Sequence, residues 1–294
     1  MLIIFLQVDY LRLIRIQQWI KNTFIFLPIF FAGKLLDVDL VIKSVISFFA
    51  FSFIASSIYV INDYVDIESD RKHPEKKHRP LASGKINNGQ AAVVFFVLFC
   101  LAYLFCYLIR SWEVAIIITG YFTMNLAYSF KLKHIAIIDI TIIATGFLLR
   151  VFVGGYATGL PVSIWAILLT FFLALIMGVG KRRGELINAQ LTGKTRKSLD
   201  GYNLQFTDMI MTVVSGCVIV CYTMYTLDPE VKKNIHPHIV YTVIFVIIGT
   251  LRYLQLTFVY NKTESPTKVV YKDRFLQIDI ILWILVFFLL KYLM

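Results

Sequence analysis

Residues 61–85 read INDYVDIESDRKHPEKKHRPLASGK, and they follow directly on an apolar run that begins near residue 40. An apolar run of about 20 residues is long enough to cross the hydrocarbon core of a membrane as a helix. If the helix continues into the charged stretch, Asp63, Asp66 and Asp70 lie at positions i, i+3 and i+7 and share one face. Asn62 lies four residues before Asp66 and adds an amide oxygen near that face. The sequence therefore predicts a membrane helix that runs into three neighbouring carboxylates.

Three carboxylates this close repel one another unless a cation neutralises them. Mg²⁺ prefers hard oxygen ligands and commonly bridges carboxylates to the phosphates of a substrate. Six basic residues follow the aspartates between Arg71 and Lys85, so both signs of charge needed to hold a metal-bound diphosphate are present. We predict a Mg²⁺-diphosphate site with Asp63, Asp66 and Asp70 as metal ligands and catalytic residues. The alternative is that these acids are only the solvated end of a hydrophobic helix.

The same stretch carries a resemblance to a known family. Asn62 to Asp70 follows the pattern AsnAspXxxXxxAspXxxXxxXxxAsp, and the run ArgProLeuAlaSerGly occupies Arg79 to Gly84. This combination resembles the first aspartate-rich motif of the UbiA superfamily of membrane-embedded prenyltransferases. The resemblance implies an all-helical fold that binds an isoprenoid diphosphate through Mg²⁺.

The composition indicates an integral membrane protein. The 294 residues are 59% hydrophobic and 16% charged, and the mean hydropathy is +0.74. The formal net charge of +11 comes from basic residues in the short loops of this hydrophobic chain. Such loops suit anionic lipids and phosphorylated substrates. We therefore expect the bilayer as a partner and no nucleic acid.

The apolar runs predict nine membrane spans in a single domain, 1–294. The expected fold class is all-α: a polytopic UbiA-like helical bundle with cytoplasmic cap loops at residues 62–89 and 181–205. Helices are expected because a backbone in lipid must satisfy its own hydrogen bonds. The predicted spans are residues 16–33, 40–61, 90–109, 113–130, 135–154, 162–180, 206–226, 238–259 and 275–293.

The distribution of basic residues predicts the orientation. With nine spans, 21 of the 29 lysines and arginines fall on one side of the membrane and five on the other. Short cytoplasmic loops carry the excess of Lys and Arg in membrane proteins. We therefore expect the bacterial inner membrane, with the active-site loops facing the cytoplasm and the C-terminus outside.

The loop after the sixth predicted span, residues 180–203, is basic. In the UbiA superfamily the equivalent loop usually carries a second aspartate motif, and this chain departs from that pattern. It offers instead Lys181, Arg182, Arg183, Glu185, Arg196, Lys197 and Asp200. An acidic first loop and a basic second loop suggest two substrates: a diphosphate held through Mg²⁺ and a phosphate held directly by Arg and Lys. The alternative is a positive-inside loop with no catalytic role.

Several further segments resemble one branch of the superfamily, the decaprenyl-phosphate phosphoribosyltransferases. They are GlnTrpIleLysAsn at Gln18–Asn22, TyrSerPheLysLeuLysHis at Tyr128–His134, Asp139 with Arg150, GlyLysArg at Gly180–Arg182 and ThrArgLysSerLeu at Thr195–Leu199. The resemblance implies transfer of a phosphoribosyl group from 5-phosphoribosyl 1-diphosphate to a polyprenyl phosphate, with release of pyrophosphate. Arg150 is expected to be structural or to snorkel, whereas Asp139 either reaches the site or pairs helices.

Polar residues near the predicted cytoplasmic face are the substrate-binding candidates. They are Lys21, Asn22, Asn62, Arg71, Lys77, Arg79, Tyr128, Lys131, Asp139, Lys181, Arg182, Glu185 and Arg196. The same acidic face would also serve a prenyltransferase that moves an isoprenoid chain from its diphosphate to an aromatic or other small acceptor. A transporter or lipid-binding membrane protein is the alternative from a different class.

Overall fold

The computed structural model describes residues 2–73, 76–192, 197–261, 269 and 272–292. Every regular element in these residues is a helix, as expected for an all-α chain. The α-helices are α1 (Leu2–Ile14), α2 (Leu27–Phe31), α3 (Val38–Val65), α4 (Ile67–Arg71), α5 (Asn88–Ile109), α6 (Trp112–Phe130), α7 (Ile138–Thr158), α8 (Ile164–Thr192), α9 (Leu204–Leu227), α10 (Pro229–Asn234), α11 (Val243–Phe258) and α12 (Arg274–Tyr292). The 3₁₀ helices are Ile16–Phe26, Lys76–His78, Leu132–His134, Lys197–Gly201 and Pro237–Thr242.

Within the described residues, seven helical segments are long and apolar enough to cross a membrane. They are Val38–Val65, Asn88–Ile109, Ile138–Thr158, Ile164–Gln190, Leu204–Leu227, Pro237–Phe258 and Arg274–Tyr292. These seven match seven of the nine predicted spans, so the count of nine is not confirmed. Of the other two, residues 113–130 form the helix α6, and residues 16–33 form a 3₁₀ helix followed by the short α2.

The chain divides into two compact units. Unit 1 comprises Met1–Leu132 and Leu149–Pro161, and unit 2 comprises Lys133–Leu148 and Val162–Met294. The long helix α7 thus gives its first turns to unit 2 and its last turns to unit 1. The expectation of a single domain stays a prediction.

The core of unit 1 is built around α3, which packs along α5 and also meets α6 and the 3₁₀ helix Ile16–Phe26. The buried residues of α5 recur every three to seven positions, so they form one stripe on the helix. That stripe consists of Ala91, Leu98, Ala102, Cys106 and Ile109. The sequence of α5 begins with a capping box, in which Asn87 accepts from the Gln90 N–H and the Gln90 side chain accepts from the Asn87 N–H. The cap fixes where the helix starts after the charged loop.

The 3₁₀ helix Ile16–Phe26 ties the start of the chain to α3. The Trp19 indole donates to Ser56 Oγ at 2.9 Å, and Asn22 Nδ2 donates to Ser52 Oγ at 2.8 Å. In a 3₁₀ helix residues three apart lie on the same face, so Trp19 and Asn22 share the face that meets these two serines. Eleven residues is long for a 3₁₀ helix, and these contacts to buried serines support it.

Helix α7 approaches this 3₁₀ helix closely at a glycine. A Cβ added at Gly154 would lie 2.0 Å from the backbone carbonyl oxygen of Ile25. Only a residue without a side chain fits at this point. Gly154 therefore lets the last turns of α7 pack directly against the first segment of unit 1.

Unit 2 consists of α8 packed along α9, with α11 packed against α9 and α12. Its apolar core includes Ile140 of α7, Val179 of α8 and Met211 and Val218 of α9. The Asn203 side chain accepts a 2.7 Å hydrogen bond from the Phe206 N–H and so caps the start of α9. This cap follows the basic loop that the sequence singled out.

Candidate active site

The acidic motif lies where α3 gives way to α4. Asp66 ends α3 with φ −95° and ψ 7°, and the chain then resumes as α4, in which the Asp70 N–H donates to the Asp66 carbonyl at 2.8 Å. The helical course is therefore only locally interrupted. Asp63 and Asp70, seven residues apart, are both buried, each with 2% of its surface exposed.

The ArgProLeuAlaSerGly segment folds back as a compact turn. The Ser83 N–H donates to the Arg79 carbonyl at 2.9 Å, and the Ile86 N–H donates to the Pro80 carbonyl at 3.2 Å. Gly84 has φ +74°, which glycine adopts without the penalty that a Cβ imposes. Leu81 and Ile86 are buried in one apolar cluster with residues of α1, α3 and α5. This anchoring directs the Arg79 side chain toward the carboxylates.

One guanidinium holds both buried aspartates. Arg79 Nη1 lies 3.1 Å from Asp63 Oδ1 and 2.6 Å from Asp70 Oδ2. Arg15 also bonds Asp63 Oδ1, and its guanidinium lies 4.8 Å from the centre of the Tyr59 ring. Two acids and two bases balance in charge, which the burial of the two carboxylates requires.

Arg15 adopts an uncommon backbone conformation at this site. Its φ is +52°, in the left-handed region that non-glycine residues seldom enter. Strained backbone of this kind persists where the surrounding contacts fix it, and it is concentrated at functional sites. Arg15 was not among the predicted site residues, because its bond to Asp63 is formed only by tertiary structure.

The donor set suits a hard divalent cation. Asp63 and Asp70 both offer a carboxylate to Arg79, and half-buried Asn62 and Asp66 lie within one helical turn of Asp63. Carboxylate and amide oxygens are the ligands that Mg²⁺ prefers. Within the described residues no group of three or more His, Cys, Asp or Glu side chains is arranged as a metal site. The arrangement seen is one in which arginines balance the charge of the carboxylates.

Asn22 is buried and uses both ends of its amide inside the protein. Its Oδ1 accepts a 2.7 Å hydrogen bond from Arg150 Nε, and its Nδ2 donates to Ser52. The Arg150 guanidinium lies 4.6 Å from the ring centre of Phe51 and 5.2 Å from that of Tyr121. These contacts agree with the structural role expected for Arg150. They also make Asn22 a residue that orients Arg150.

The remaining candidates of unit 1 are more exposed. Arg71 pairs with Glu68 at 2.8 Å and donates to the Ala82 carbonyl at 3.3 Å. Lys77 and Lys131 are exposed, whereas Lys21 and Tyr128 are half-buried. Among the predicted residues of unit 1, direct contacts thus bring Asp63, Asp70 and Arg79 together.

In unit 2 the predicted residues form a second charged cluster. Arg182 is fully buried, with its Nε 2.9 Å from Asp139 Oδ2 and its Nη1 bonded to Glu185. Lys181 Nζ lies 3.9 Å from Glu185 Oε1, and 44% of the Lys181 side chain is exposed. Asp139 therefore makes the helix-pairing contact, between α7 and α8, that the sequence left open. Arg196 lies outside the described residues.

Two residues of unit 2 have roles that the sequence did not indicate. The Tyr202 hydroxyl donates to Asp139 Oδ1 at 2.8 Å. Arg183 bonds Asp208 Oδ1 at 2.6 Å, the Thr257 carbonyl at 2.9 Å and Asn261 Oδ1 at 2.7 Å, and so joins α8, α9 and the end of α11. Arg183 was counted only as one charge of a basic loop. The structure instead places Arg183 within α8, because this helix continues through the start of the predicted loop at residues 181–205.

Comparison with known proteins supports the resemblance seen in the motifs. The model of the UbiA prenyltransferase family matches residues 23–180. Decaprenyl-phosphate phosphoribosyltransferase from Mycolicibacterium smegmatis is 33% identical over 290 residues, covering 93% of this chain and 89% of that protein. The enzyme of the same name from Mycobacterium tuberculosis is 32% identical over 278 residues, covering 93% and 91%.

The fold has a solved counterpart. The structure of a UbiA homolog from Archaeoglobus fulgidus bound to GPP and Mg²⁺ superposes with a TM-score of 0.69 at 20% identity, covering 96% of this chain and 99% of that one. The family match extends over more than half of the chain, and the long apolar helices indicate an integral membrane protein. This chain belongs to the UbiA prenyltransferase family.

Proposed function

We propose that this protein transfers the 5-phosphoribosyl group of 5-phosphoribosyl 1-diphosphate to a polyprenyl phosphate and releases pyrophosphate. The observation that carries the proposal is the 33% identity, over 93% of the chain, to an enzyme named decaprenyl-phosphate phosphoribosyltransferase. Fold likeness alone would not support a specific reaction, because one scaffold can host several chemistries. The two charged clusters give the proposal a chemical basis.

The carboxylates of unit 1 are the proposed metal ligands. Asp63, Asp66 and Asp70 would hold Mg²⁺, with Asn62 beside them. The bound ion would supply charge neutralisation for the pyrophosphate leaving group. The contacts of the Arg79 guanidinium, 2.6 Å to Asp70 and 3.1 Å to Asp63, support this assignment, because the two carboxylates lie close enough to share one cation.

The basic residues of unit 1 would bind the diphosphate oxygens. A guanidinium has five N–H donors, so Arg79 can hold Asp63 and Asp70 and still donate to a phosphate. Arg71 and Lys77 are exposed on the same loop and would contact the outer phosphate oxygens. The parts of the two substrates other than the diphosphate would contact three further residues, Lys21, Tyr128 and Lys131.

The charged cluster of unit 2 would bind the lipid phosphate. Lys181 is the most exposed base of the cluster, so we assign it the direct contact, together with Arg196. Arg182 is buried between Asp139 and Glu185 and would orient Glu185 and Lys181. The acceptor phosphate is already an anion, so attack on carbon 1 of the ribose needs no strong general base.

We further propose that the protein lies in the bacterial inner membrane with this site on the cytoplasmic side. The excess of lysines and arginines on one side of the predicted spans supports this orientation. Both proposed substrates carry phosphate groups, and the nine predicted spans would put the aspartate loop and the basic loop on that side.

Product analysis tests the proposal. Membranes that contain the protein would be supplied with Mg²⁺, a polyprenyl phosphate and either 5-phosphoribosyl 1-diphosphate or, with an aromatic acceptor, a prenyl diphosphate. We expect a lipid whose mass equals polyprenyl phosphate plus one phosphoribosyl group, and no such lipid with Asp66→Asn. A prenylated aromatic product in its place would favour isoprenoid transfer.

A further inference from the structure

The turn before α7 contains a strained residue. Ile137 has φ +69°, a left-handed conformation that is a genuine outlier for a β-branched side chain. Ile137 is 54% exposed, so burial of its side chain does not compensate for this strain. Its N–H donates a 2.6 Å hydrogen bond to the Tyr202 hydroxyl oxygen. A contact with another segment therefore holds the backbone at Ile137.

The segment that supplies Tyr202 packs tightly on this turn. A Cβ added at Gly201 would lie 2.4 Å from the Cβ of Ala136, so only glycine allows the observed approach. Gly201 ends the 3₁₀ helix Lys197–Gly201, and Tyr202 is the next residue. The basic loop and the turn before α7 are thus fitted together at Gly201, and this fit places the Tyr202 hydroxyl.

The Tyr202 hydroxyl links the strained turn to the buried ion pair. It accepts from Ile137 and donates to Asp139 Oδ1 at 2.8 Å, while Asp139 Oδ2 faces Arg182 Nε at 2.9 Å. Tyr202 is 6% exposed and packs in the apolar core of unit 2. Burial raises the pKa of the Tyr202 hydroxyl, so it keeps its proton and remains a donor to the carboxylate.

The ion pair continues toward the exposed base of the cluster. Arg182 bonds Glu185, and the Glu185 carboxylate lies 3.9 Å from Lys181 Nζ. Buried charges hold a fixed geometry only when their remaining hydrogen-bonding atoms are satisfied. Tyr202 satisfies the Asp139 oxygen that Arg182 does not occupy.

We propose that Tyr202 is a positioning residue for phosphate binding: its hydroxyl fixes Asp139, Asp139 fixes Arg182, and Arg182 holds Glu185 beside Lys181. This inference rests on the proposed function, in which Lys181 contacts the lipid phosphate. Tyr202 itself does not contact substrate. Through Asp139 and Arg182, it couples the end of the basic loop to Lys181, the residue proposed to contact the lipid phosphate.

Tyr202→Phe keeps the buried ring and removes the hydroxyl, and Tyr222→Phe is the matched control. Tyr222 is a buried tyrosine of α9 whose hydroxyl also makes two hydrogen bonds, with Thr242 and with the Trp283 indole, both at 2.7 Å. Both variants lose the same number of hydrogen bonds in the same unit. A purely structural role for Tyr202 predicts that they behave alike.

Two readouts on purified protein decide the matter. Hydrogen exchange at the Ile137 amide should accelerate in Tyr202→Phe and stay unchanged in Tyr222→Phe. With liposomes that contain polyprenyl phosphate, KM for that lipid should rise about tenfold in Tyr202→Phe, with a smaller change in kcat, as expected for a lost hydrogen bond within a charged network. Tyr222→Phe should leave KM unchanged.

An unchanged rate of hydrogen exchange at the Ile137 amide in Tyr202→Phe would overturn the proposal, whatever KM and kcat the variant has. Faster exchange with an unchanged KM would overturn it too, because Tyr202 would then only stabilise the turn. A wild-type protein that makes no phosphoribosyl lipid, while exchange at Ile137 responds to Tyr202→Phe, would count against the proposed function instead.

Discussion

Arg79 donates a 2.6 Å hydrogen bond to Asp70 of α4, which lies nine positions earlier in the chain. The same guanidinium nitrogen lies 3.1 Å from Asp63, so a single cation holds the two most buried acids of the aspartate motif. A buried carboxylate without a compensating charge is costly. The motif and the ArgProLeuAlaSerGly segment are therefore two halves of one charged centre.

Asp70→Asn should reduce turnover at least a hundredfold while the protein stays folded. The substitution removes one of the two buried negative charges that would hold the metal but keeps the shape of the side chain. Glu68→Gln is the matched control, since Glu68 lies on the same short helix with 79% of its side chain exposed. Equal activity of the two variants in a phosphoribosyl-lipid assay would exclude Asp70 from the site.

Arg79→Ala should make the protein depend on Mg²⁺ for stability. Without the guanidinium, Asp63 and Asp70 repel each other, and we expect a loss of about 2 kcal/mol in the metal-free protein. A cation that binds only the folded state restores stability in proportion to its affinity. The Mg²⁺-induced rise in Tm should therefore be larger in Arg79→Ala than in wild type.

Arg71→Ala is the control for that measurement, because Arg71 pairs with exposed Glu68. Its Tm response to Mg²⁺ should equal that of wild type. If Mg²⁺ shifts none of the three melting curves, the aspartates do not bind the metal.

Lys181→Ala and Arg183→Ala should separate binding from stability in adjacent basic residues. Arg183 is buried and bonds three partners, so its removal should cost about 2–4 kcal/mol of unfolding free energy. Lys181 is partly exposed, and Lys181→Ala should change stability by less than about 0.5 kcal/mol but raise KM for polyprenyl phosphate. Denaturation in detergent and lipid titration test the two effects. An unchanged KM in Lys181→Ala would support the positive-inside alternative.

Gly154→Ala should destabilise unit 1. The new Cβ would overlap the Ile25 carbonyl oxygen at 2.0 Å, and backbone atoms cannot rotate away, so we expect a loss of about 3 kcal/mol. Gly120→Ala on α6 is the control, because no atom lies within 4 Å of its added Cβ and alanine favours the helix. The Tm of the two variants in one detergent gives the comparison. Equal Tm values would show that α7 does not pack on Ile25 as described.

Hydropathy predicted most of the fold, because a membrane span needs only length and an apolar composition. Six of the seven matched spans agree with helices to within about four residues at both ends. The predicted span 162–180 ends ten residues before the end of its helical segment, Ile164–Gln190, so the first part of the predicted basic loop is helical. The segment at residues 16–33 differs for a tertiary reason. The Trp19 and Asn22 side chains donate hydrogen bonds to buried serines of α3. Local hydropathy cannot predict hydrogen bonds to residues that are distant in the sequence.

The site was predictable where it follows helical spacing. Helical spacing predicted that Asp63 and Asp70 share a face, and both carboxylates contact the Arg79 guanidinium despite the break at Asp66. Their role as metal ligands stays a prediction. The basic residues of both predicted loops could be identified as phosphate-binding candidates, but the sequence did not show which of them are buried. Arg182 and Arg183 are buried with acids supplied by other helices. Lys181 lies on the same helix, α8, but 44% of its side chain is exposed. Pairing between distant segments decides these roles.

The central claim is that this chain moves a phosphoribosyl group onto a lipid phosphate. Purified protein in liposomes with a polyprenyl phosphate and Mg²⁺ would receive 5-phosphoribosyl 1-diphosphate labelled separately in the ribose and in the β-phosphate. The account predicts that the ribose label enters the lipid phase while the β-phosphate label remains in water as pyrophosphate. Ribose label that stays in the aqueous phase, in a preparation that transfers an isoprenoid chain from a prenyl diphosphate, would contradict it.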